Sequence, residues 1–252
     1  MTIPSEFVRA MQDASSIVVL TGAGVSAESG VPTFRDVQEG LWARYDPAEL
    51  ATPEAYSRDP ELVARWYDWR RTLCSKASPN PAHLALSWLE RFSRDNGRRF
   101  NLVTQNVDRL HHAAGSTGIL ELHGTLWIWR CLRCAEEREE RVVPFTEYPP
   151  RCSCGGLRRP GVVWFGEALP EGILEATNQA ASECDLFLSV GTSAVVYPAA
   201  GLAHSARRRG ARIAEINAQP TPLSPLTHWS LQGNCGEILP ELLHQAFGYT
   251  SA

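Results

Sequence analysis

Short apolar runs recur along the chain and predict the strands of a parallel β-sheet. Each run is four or five residues long and rich in Val, Ile, Leu and Phe, which is typical of strands buried on both faces. Between them lie amphipathic helical patterns at residues 81–92 and 199–209, the second ending at Gly210, a common helix stop. This alternation predicts an α/β fold with a doubly wound parallel sheet. The predicted strands are 17–20, 100–104, 119–122, Leu186–Val190 and 213–216.

Two segments interrupt the alternation and are predicted to be insertions into the sheet domain. Residues 36–80 have a helical pattern rich in Trp and Tyr, and residues 127–160 contain four cysteines. The sheet domain would then be assembled from residues 1–35, 81–126 and 161–252. The two insertions together would form a smaller domain.

Charge and composition exclude several classes of function. The 252 residues include 24 Lys and Arg against 28 Asp and Glu, and this net charge of -4 argues against generic binding of nucleic acid or an anionic membrane. Residues 186–206 have no charged side chain, but Gly191, Pro198 and Gly201 interrupt them, so we expect a strand, a turn and a helix, not a membrane span. Residues 1–16 contain charges and lack the apolar block of a secretion signal, which predicts a cytoplasmic protein.

The sequence T-G-A-G-V-S-A directly follows the first predicted strand and fits the pattern G-x-G-x-x-[G/A]. Gly22 would permit a tight turn, Gly24 a close approach of the backbone to a phosphate, and Ala27 close packing of helix against strand. A purely structural turn is the alternative, and no acidic strand end follows about 20 residues later, as it does in dehydrogenases. Beyond the turn, Arg35 could pair with a phosphate and Phe34 could cover a ring, or the two could be a surface arginine and a core aromatic.

Four cysteines have the spacing of a metal site. Cys131 and Cys134 are separated by two residues, and Cys152 and Cys154 follow 17 residues later with one residue between them. Two such knuckles match a tetrahedral four-thiolate zinc site, in which one structural ion leaves no position open for substrate. Four unligated thiols are the alternative, but the pairs lie in polar, Arg-rich turns, which favours metal.

Polar residues follow two of the predicted strands. Gln105, Asn106 and Asp108 come after residues 100–104, and His123 comes after the next strand. Ligands bind at the carboxyl ends of parallel strands, so we expect these side chains to meet there, with His123 as a general base. On composition alone, a hydrogen-bonded core histidine would be the more common interpretation.

Taken in this order, these features resemble the sirtuin family. The likeness covers nearly all of residues 14–240 and includes P-T-F-R-D at 32–36, T-Q-N-V-D at 104–108, V-W-F-G-E at 163–167, V-G-T-S at 190–193 and I-N at 216–217. The resemblance implies a Rossmann-like domain that binds NAD, a smaller zinc-binding and helical domain, and a cleft between them. It also implies that NAD is consumed as a co-substrate while acyl groups are removed from lysine side chains of proteins.

The resemblance further implies roles for individual residues. His123, Asn106 and Asp108 would be catalytic, with His123 deprotonating a ribose hydroxyl that then accepts the acyl group, so that O-acyl-ADP-ribose forms. Val163, Phe165, Gly166 and Glu167 would present an extended strand to the substrate peptide and bind its backbone. The residues expected to bind NAD are Gly22, Ala23, Gly24, Ser26, Ala27, Thr33, Phe34, Arg35, Gln105, Asn106, Asp108, Gly191, Thr192, Ser193, Asn217 and Cys235.

The helical insertion suggests which acyl groups are removed. Tyr67 and Arg70 are three residues apart, so they share a face of a helix, and a phenol and a guanidinium could together bind a carboxylate. With the small residue Ala51, this pair resembles class III sirtuins, which remove succinyl and malonyl groups and, in bacterial members, acetyl groups. Without that resemblance, a solvated arginine on an amphipathic helix would be the preferred interpretation.

Two other functions use the same scaffold. One is a catalytically silent sensor of NAD or ADP-ribose, and the other is transfer of a single ADP-ribose to protein. The presence of His123, Asn106 and Asp108 favours the enzyme over the sensor.

Overall fold

The computed structural model describes residues 2–33 and 45–250, so Phe34 and Arg35 lie outside the described residues. In this part of the chain the elements follow one another in the order α1 (Ser5–Asp13), β1 (Ser16–Thr21), α2 (Gly24–Ala27), α3 (Pro47–Leu50), α4 (Pro53–Arg58), α5 (Pro60–Cys74), α6 (Pro81–Asp95), β2 (Arg99–Thr104), α7 (Leu110–Ala113), β3 (Ile119–Glu121), β4 (Gly124–Cys131), β5 (Glu137–Glu139), β6 (Arg158–Val162), α8 (Glu171–Glu183), β7 (Leu186–Val190), α9 (Gly201–Arg208), β8 (Arg212–Asn217), β9 (Trp229–Gln232) and α10 (Cys235–Phe247).

The larger domain is built on a six-stranded parallel sheet with the order β3-β2-β1-β7-β8-β9. Chain order reverses beside β1, as in doubly wound sheets, and the predicted α/β fold class is confirmed. All five predicted strands are present, with ends within one residue of the prediction. The edge strand β9 was not predicted, because only Leu231 of its four residues is buried and its apolar signal is weak.

Helices cover both faces of this sheet. One hydrophobic core joins β1, β2, β7 and β8 to α1, α6 and α10, and a second joins the opposite face to α8 and α9. Because both faces are covered, every residue of β1 and β7 is buried. The uncharged segment from residue 186 forms β7 and, after a loop, α9, as predicted. Among the described residues, none of the helices has the length and apolar character needed to cross a membrane.

The smaller domain combines α3, α4 and α5 with an antiparallel sheet of order β5-β4-β6 around a third hydrophobic core. Trp66 of α5 and Trp129 of β4 are fully buried in it. β4 begins at Gly124, three residues before the predicted start of this segment, and β6 ends at Val162, two residues after its predicted end. The small sheet therefore begins directly after His123.

A buried ion pair connects α5 to the cysteine-containing segment. Arg71 Nη1 lies 2.7 Å from Asp68 Oδ1, and both side chains are almost completely buried. Asp68 Oδ2 accepts a hydrogen bond of 2.8 Å from the backbone N–H of Phe145, and it also accepts one from the hydroxyl of Tyr148. Arg71 donates to the carbonyl of Val142 at 3.0 Å. The helical insertion and the cysteine-containing segment are thus one packed unit.

Candidate active site

A cavity of about 680 Å³ lies at the carboxyl ends of β1, β2, β7 and β8 and extends to the smaller domain. This position is where open parallel sheets bind ligands. Of the predicted site residues that the structure describes, all but the cysteine ligands, Ala27 and Cys235 line this cavity. They are Gly22, Ala23, Gly24, Ser26, Thr33, Ala51, Tyr67, Arg70, Gln105, Asn106, Asp108, His123, Val163, Phe165, Gly166, Glu167, Gly191, Thr192, Ser193 and Asn217.

The glycine turn after β1 packs directly against the loop after β7. A Cβ on Gly24 would lie 2.7 Å from the carbonyl oxygen of Gly191, and a Cβ on Gly22 would lie 2.8 Å from Cβ of Thr192. Gly191 itself has a φ of +60°, and its Cβ would lie 2.3 Å from the backbone nitrogen of Val25. The glycines therefore allow two cavity-lining loops to touch through their backbones, in addition to any approach to a phosphate.

Ala27 is exposed at the end of α2, which is only four residues long. Its packing of helix against strand stays a prediction. Gly24, three residues earlier, makes a close approach to the neighbouring loop at Gly191.

Asn106 connects the end of β2 to the glycine turn. Its side-chain Nδ2 donates to the carbonyl of Gly22 at 3.0 Å and to Oγ of Ser26 at 3.1 Å. Ser26 Oγ in turn lies 3.3 Å from Nε2 of His83, whose burial lowers its pKa to about 4. A neutral His83 therefore ends this chain of hydrogen bonds, which runs through Ser26 to Asn106.

A hydrogen bond holds one side of the His123 ring. Nδ1 lies 3.1 Å from the carbonyl oxygen of Gln105, which can only accept, so Nδ1 is protonated and Nε2 keeps the free lone pair. Burial lowers the pKa of His123 below its usual value, although the bond to Gln105 acts in the opposite direction. The imidazole at neutral pH is therefore an uncharged base. Gln105 is fixed by its own side chain, which donates to Thr192 Oγ1 at 3.0 Å.

Asp108 is a buried carboxyl at the same edge of the sheet. Burial raises its pKa, and hydrogen bonds, including one of 2.8 Å from the backbone N–H of Leu110, oppose that shift. Its backbone carbonyl accepts a hydrogen bond of 2.8 Å from Trp127 of the small domain. Asp108 is thus positioned from both domains.

Tyr67 and Arg70 lie on the face of α5 that lines the cavity, as their spacing predicts. Burial raises the pKa of Tyr67 to about 12, against the opposing influence of the Arg70 charge, so its phenol stays protonated. Arg70 is half-buried, and its guanidinium carbon lies 5.1 Å from the centre of the Trp66 ring. Ala51 lines the cavity beside them.

The predicted extended strand at residues 163–167 is a turn from Phe165 onward. Gly166 has a φ of +86°, and the Glu167 backbone N–H donates to the carbonyl of Trp164 at 3.0 Å. The carboxylate of Glu167 forms a two-pronged ion pair with the buried Arg159, and it also accepts from the backbone N–H of Trp164. Glu167 therefore closes the turn on itself, and this is why the segment does not remain extended.

Val163, just before the turn, donates its N–H to the carbonyl of His123 at 2.9 Å.

The four cysteines converge as their spacing predicts. All four sulfurs lie within 4.8 Å of one another, with Cys131 and Cys154 at 3.5 Å and Cys134 and Cys152 at 3.7 Å. A tetrahedral zinc with Zn–S bonds of about 2.3 Å requires sulfurs about 3.8 Å apart, so the cluster is compatible with one structural zinc. The buried Arg158 lies 3.5 Å from the Cys152 sulfur and would offset part of the thiolate charge.

One predicted residue lies outside the cavity, and two residues that were not predicted line it. Cys235 is buried at the start of α10, and its sulfur lies 3.9 Å from the carbonyl of Ile216, so its side chain does not reach the cavity. Cys74 and Trp164 line the cavity without having been predicted to do so. Cys74 follows Arg70 by four residues on α5, so helical periodicity could have found it, whereas nothing in the sequence pattern turns Trp164 inward.

Comparison with known proteins identifies the family. The model of the Sir2 family matches residues 22–198. An NAD-dependent protein deacylase 1 of Pseudomonas aeruginosa is 51% identical over 95% of this chain and 98% of its own length, and a Thermus thermophilus NAD-dependent protein deacylase is 50% identical over 92% and 91%.

Solved structures agree with these relatives. A Sir2 homologue in complex with NAD superposes with a TM-score of 0.91 at 45% identity, covering 97% of this chain and 94% of that one. A Sir2 protein with a deacetylated p53 peptide and 3'-O-acetyl ADP-ribose has a TM-score of 0.87 at 31% identity, covering 98% and 99%. With a matching family model, relatives at half identity along nearly the whole length and a superposable fold, the chain belongs to the Sir2 family.

Proposed function

We propose that this sirtuin removes acyl groups from lysine side chains of proteins, consumes NAD in doing so, and releases nicotinamide and O-acyl-ADP-ribose. The observation that supports this most directly is the fixed, uncharged His123 in a cavity lined by the glycine turn. Relatives of this chain bear the name NAD-dependent protein deacylase, and a related structure contains 2'-O-acetyl ADP-ribose.

His123 is suited to take a proton from a ribose hydroxyl. Because Nδ1 is committed to the Gln105 carbonyl, Nε2 is the ring atom available to the substrate. A base whose pKa lies somewhat below neutral is almost fully deprotonated at physiological pH. Nicotinamide leaves the anomeric carbon as the acyl oxygen of the substrate bonds to that carbon, and this gives an alkylamidate. The activated ribose hydroxyl attacks the amidate carbon, and the lysine amine then departs. Water adds to the acyl carbon, so that the acyl ester stays on the ribose hydroxyl and the anomeric carbon keeps a hydroxyl group.

Loss of nicotinamide leaves positive charge on the ribose, and the protein assists by positioning and electrostatics. Gln105, Asn106 and Asp108 line the cavity at this point and are tied to the surrounding loops by the hydrogen bonds described above. We propose that they surround the nicotinamide ribose, while Ser193 and Asn217 face the adenosine half.

We propose that acyl chains ending in a carboxylate are among the substrates. Arg70 supplies a positive charge and Tyr67 a neutral hydroxyl donor to the same end of the cavity, so together they suit a succinyl or malonyl carboxylate. An acetyl group has no carboxylate and would occupy the same space without using them. These features support a proposed activity of the class III type.

The peptide would bind beside the turn at residues 163–167 through its backbone, a mode in which side-chain sequence matters little. A deacetylated p53 peptide is bound by a structural relative. Phe165 is 46% exposed at the rim of the cavity, where an incoming peptide would cover it. The zinc cluster would stabilise the small domain that supports this rim.

We also propose a cytoplasmic location. Cys74, Cys184 and Cys235 are buried as free thiols, and burial raises the pKa of each to about 12. Unpaired cysteines of this kind are typical of a reducing compartment.

The test is incubation of the protein with NAD and matched acetyl-, malonyl- and succinyl-lysine peptides, followed by mass analysis of the products. Deacylated peptide, nicotinamide and an ADP-ribose ester in equal amounts are expected. ADP-ribose attached to protein would indicate the transferase instead, and intact NAD would indicate the silent sensor.

Arg70→Met then tests acyl selectivity. Its kcat/KM should fall at least about tenfold on succinyl-lysine and little on acetyl-lysine, because a charge-assisted hydrogen bond is lost only with the former. Arg65→Met is the matched control, since Arg65 is an exposed arginine on the same helix that pairs with Glu61. An equal loss on both peptides for Arg70→Met would remove the proposed carboxylate contact.

A further inference from the structure

A hydrogen bond from Trp164 to the phenol oxygen of Tyr67 restricts the orientation of the Tyr67 hydroxyl. The indole Nε1 lies 2.9 Å from the Tyr67 oxygen, and both side chains are buried at the cavity wall. An indole N–H can only donate, so the Tyr67 oxygen must accept this bond. The single proton of the phenol is therefore left for a different partner.

The indole that makes this bond is itself held on several sides. The guanidinium of Arg159 stacks on its ring at 3.4 Å from the ring centre, and the ring of Tyr56 lies 5.4 Å from it. The backbone N–H of Trp164 donates to Glu167, which is paired with the same Arg159. The direction of the indole N–H is thus fixed by the turn that the peptide is proposed to meet.

We propose that Trp164 is a positioning residue for acyl selectivity: its N–H occupies one lone pair of Tyr67 and so directs the phenol proton toward the carboxylate of a succinyl or malonyl group. This inference rests on the proposed function, because it assumes that Tyr67 and Arg70 receive that carboxylate. Donation into the phenol oxygen also polarises its O–H, which makes it a stronger donor to an anion. Since Tyr67 remains protonated, it has this proton to give throughout the physiological range.

An acetyl group should be indifferent to this arrangement. It ends in a methyl group, so it neither accepts the phenol proton nor gains from its direction. The inferred role of Trp164 therefore predicts a change in the ratio of succinyl to acetyl activity, whereas a merely structural tryptophan would change both activities together.

The experiment compares Trp164→Phe with the unaltered enzyme on succinyl- and acetyl-lysine peptides of one sequence. Phenylalanine keeps an aromatic ring for Arg159 to stack on and removes only the N–H and part of the ring. We expect KM for the succinyl peptide to rise about three- to tenfold, the usual effect of one neutral hydrogen bond, with kcat and the acetyl parameters changed less than about twofold.

Trp129→Phe is the matched control. Trp129 is a buried tryptophan of the same domain whose indole donates to the carbonyl of Leu126, and its substitution should leave the succinyl-to-acetyl ratio unchanged. Equal changes in that ratio for the two variants would overturn the inference.

A double-mutant cycle with Tyr67→Phe gives the decisive result. If Trp164 acts through the Tyr67 hydroxyl, Trp164→Phe should have no further selective effect once that hydroxyl is gone. Fully additive effects on the succinyl-to-acetyl ratio would overturn the inference, because they would mean that the indole acts independently of Tyr67.

Arg70→Met, measured in parallel, separates the two proposals. If Arg70→Met abolishes succinyl selectivity and Trp164→Phe leaves it intact, the role of Trp164 is overturned and the proposed function stands. If the unaltered enzyme has no succinyl activity, or Arg70→Met affects both peptides equally, both proposals fail.

Discussion

Asp68→Asn should destabilise the small domain strongly, because it leaves the charge of Arg71 buried without a counter-ion. Arg71 is fully buried, and burial lowers its pKa while Asp68 opposes that effect. Its Nε has no hydrogen-bond partner within the described residues, and Asp68 forms the close ion pair with its Nη1 at 2.7 Å. The asparagine also cannot serve all the donors that now converge on Asp68.

The expected loss is large on the scale of single substitutions. Removing one partner of a buried ion pair costs about 3–5 kcal/mol. For a chain of this length, each kcal/mol lowers the midpoint of thermal unfolding by about 2–4 °C, so a decrease of roughly 6–20 °C is expected. A Glu61→Gln control removes an exposed pair with Arg65 on the same helix, which typically contributes only about 0.2–1 kcal/mol.

Calorimetry and urea unfolding of the zinc-loaded protein measure the thermal midpoint and the free energy of unfolding of both variants. The double variant Asp68→Asn/Arg71→Met is measured as a third protein. Because the double variant removes the unpaired charge, it should recover part of the loss. If Asp68→Asn and Glu61→Gln lower the midpoint by similar amounts, or if the double variant is less stable than Asp68→Asn, the buried charge is not the cause.

Three further outcomes can be measured. His123→Ala should reduce kcat/KM at least about 100-fold and leave the melting temperature unchanged. In the unaltered enzyme, kcat/KM should fall on the acid side below about pH 6.5, because a histidine with a lowered pKa is protonated only in stronger acid. A fall that begins above pH 7 would contradict the assignment of His123 as the base. Cys134→Ala should lower bound zinc measured by elemental analysis and expose the small domain to proteolysis, and full zinc content in this variant would exclude the cluster as the site. Gly24→Ala should destabilise the fold in urea because its Cβ would meet the backbone of Gly191, whereas Gly172→Ala, in open space on α8, should be neutral or stabilising, and equal effects would refute the close-packing argument.

The sheet and the cluster of polar residues at its edge could be predicted because both follow from local pattern. Buried strands have apolar runs, and residues directly after such runs meet at one edge whatever the details of the connections. This is why Asn106, Asp108 and His123 line one cavity, and why the cysteine spacing gives converging sulfurs.

The errors lie where long-range contacts decide the conformation. Glu167 closes a turn because it pairs with Arg159, eight residues earlier, and the backbone of Gly166 permits that turn. A second reason for the glycines at 22 and 24 is the loop at Gly191, about 170 residues away in sequence, and no local motif could reveal it. The motif also assumes a longer helix after the turn than α2, which has four residues and leaves Ala27 exposed at its end.

The hydrogen bond between Val163 and His123 lies where the chain enters and leaves the small domain, since β4 begins one residue after His123 and β6 ends one residue before Val163. The two backbone segments that connect the domains here are therefore hydrogen-bonded to each other beside the imidazole. The backbone that carries the imidazole and the backbone that carries the peptide-facing rim are thus directly hydrogen-bonded to each other. The position of the imidazole and the position of the peptide-facing rim are therefore coupled through the backbone.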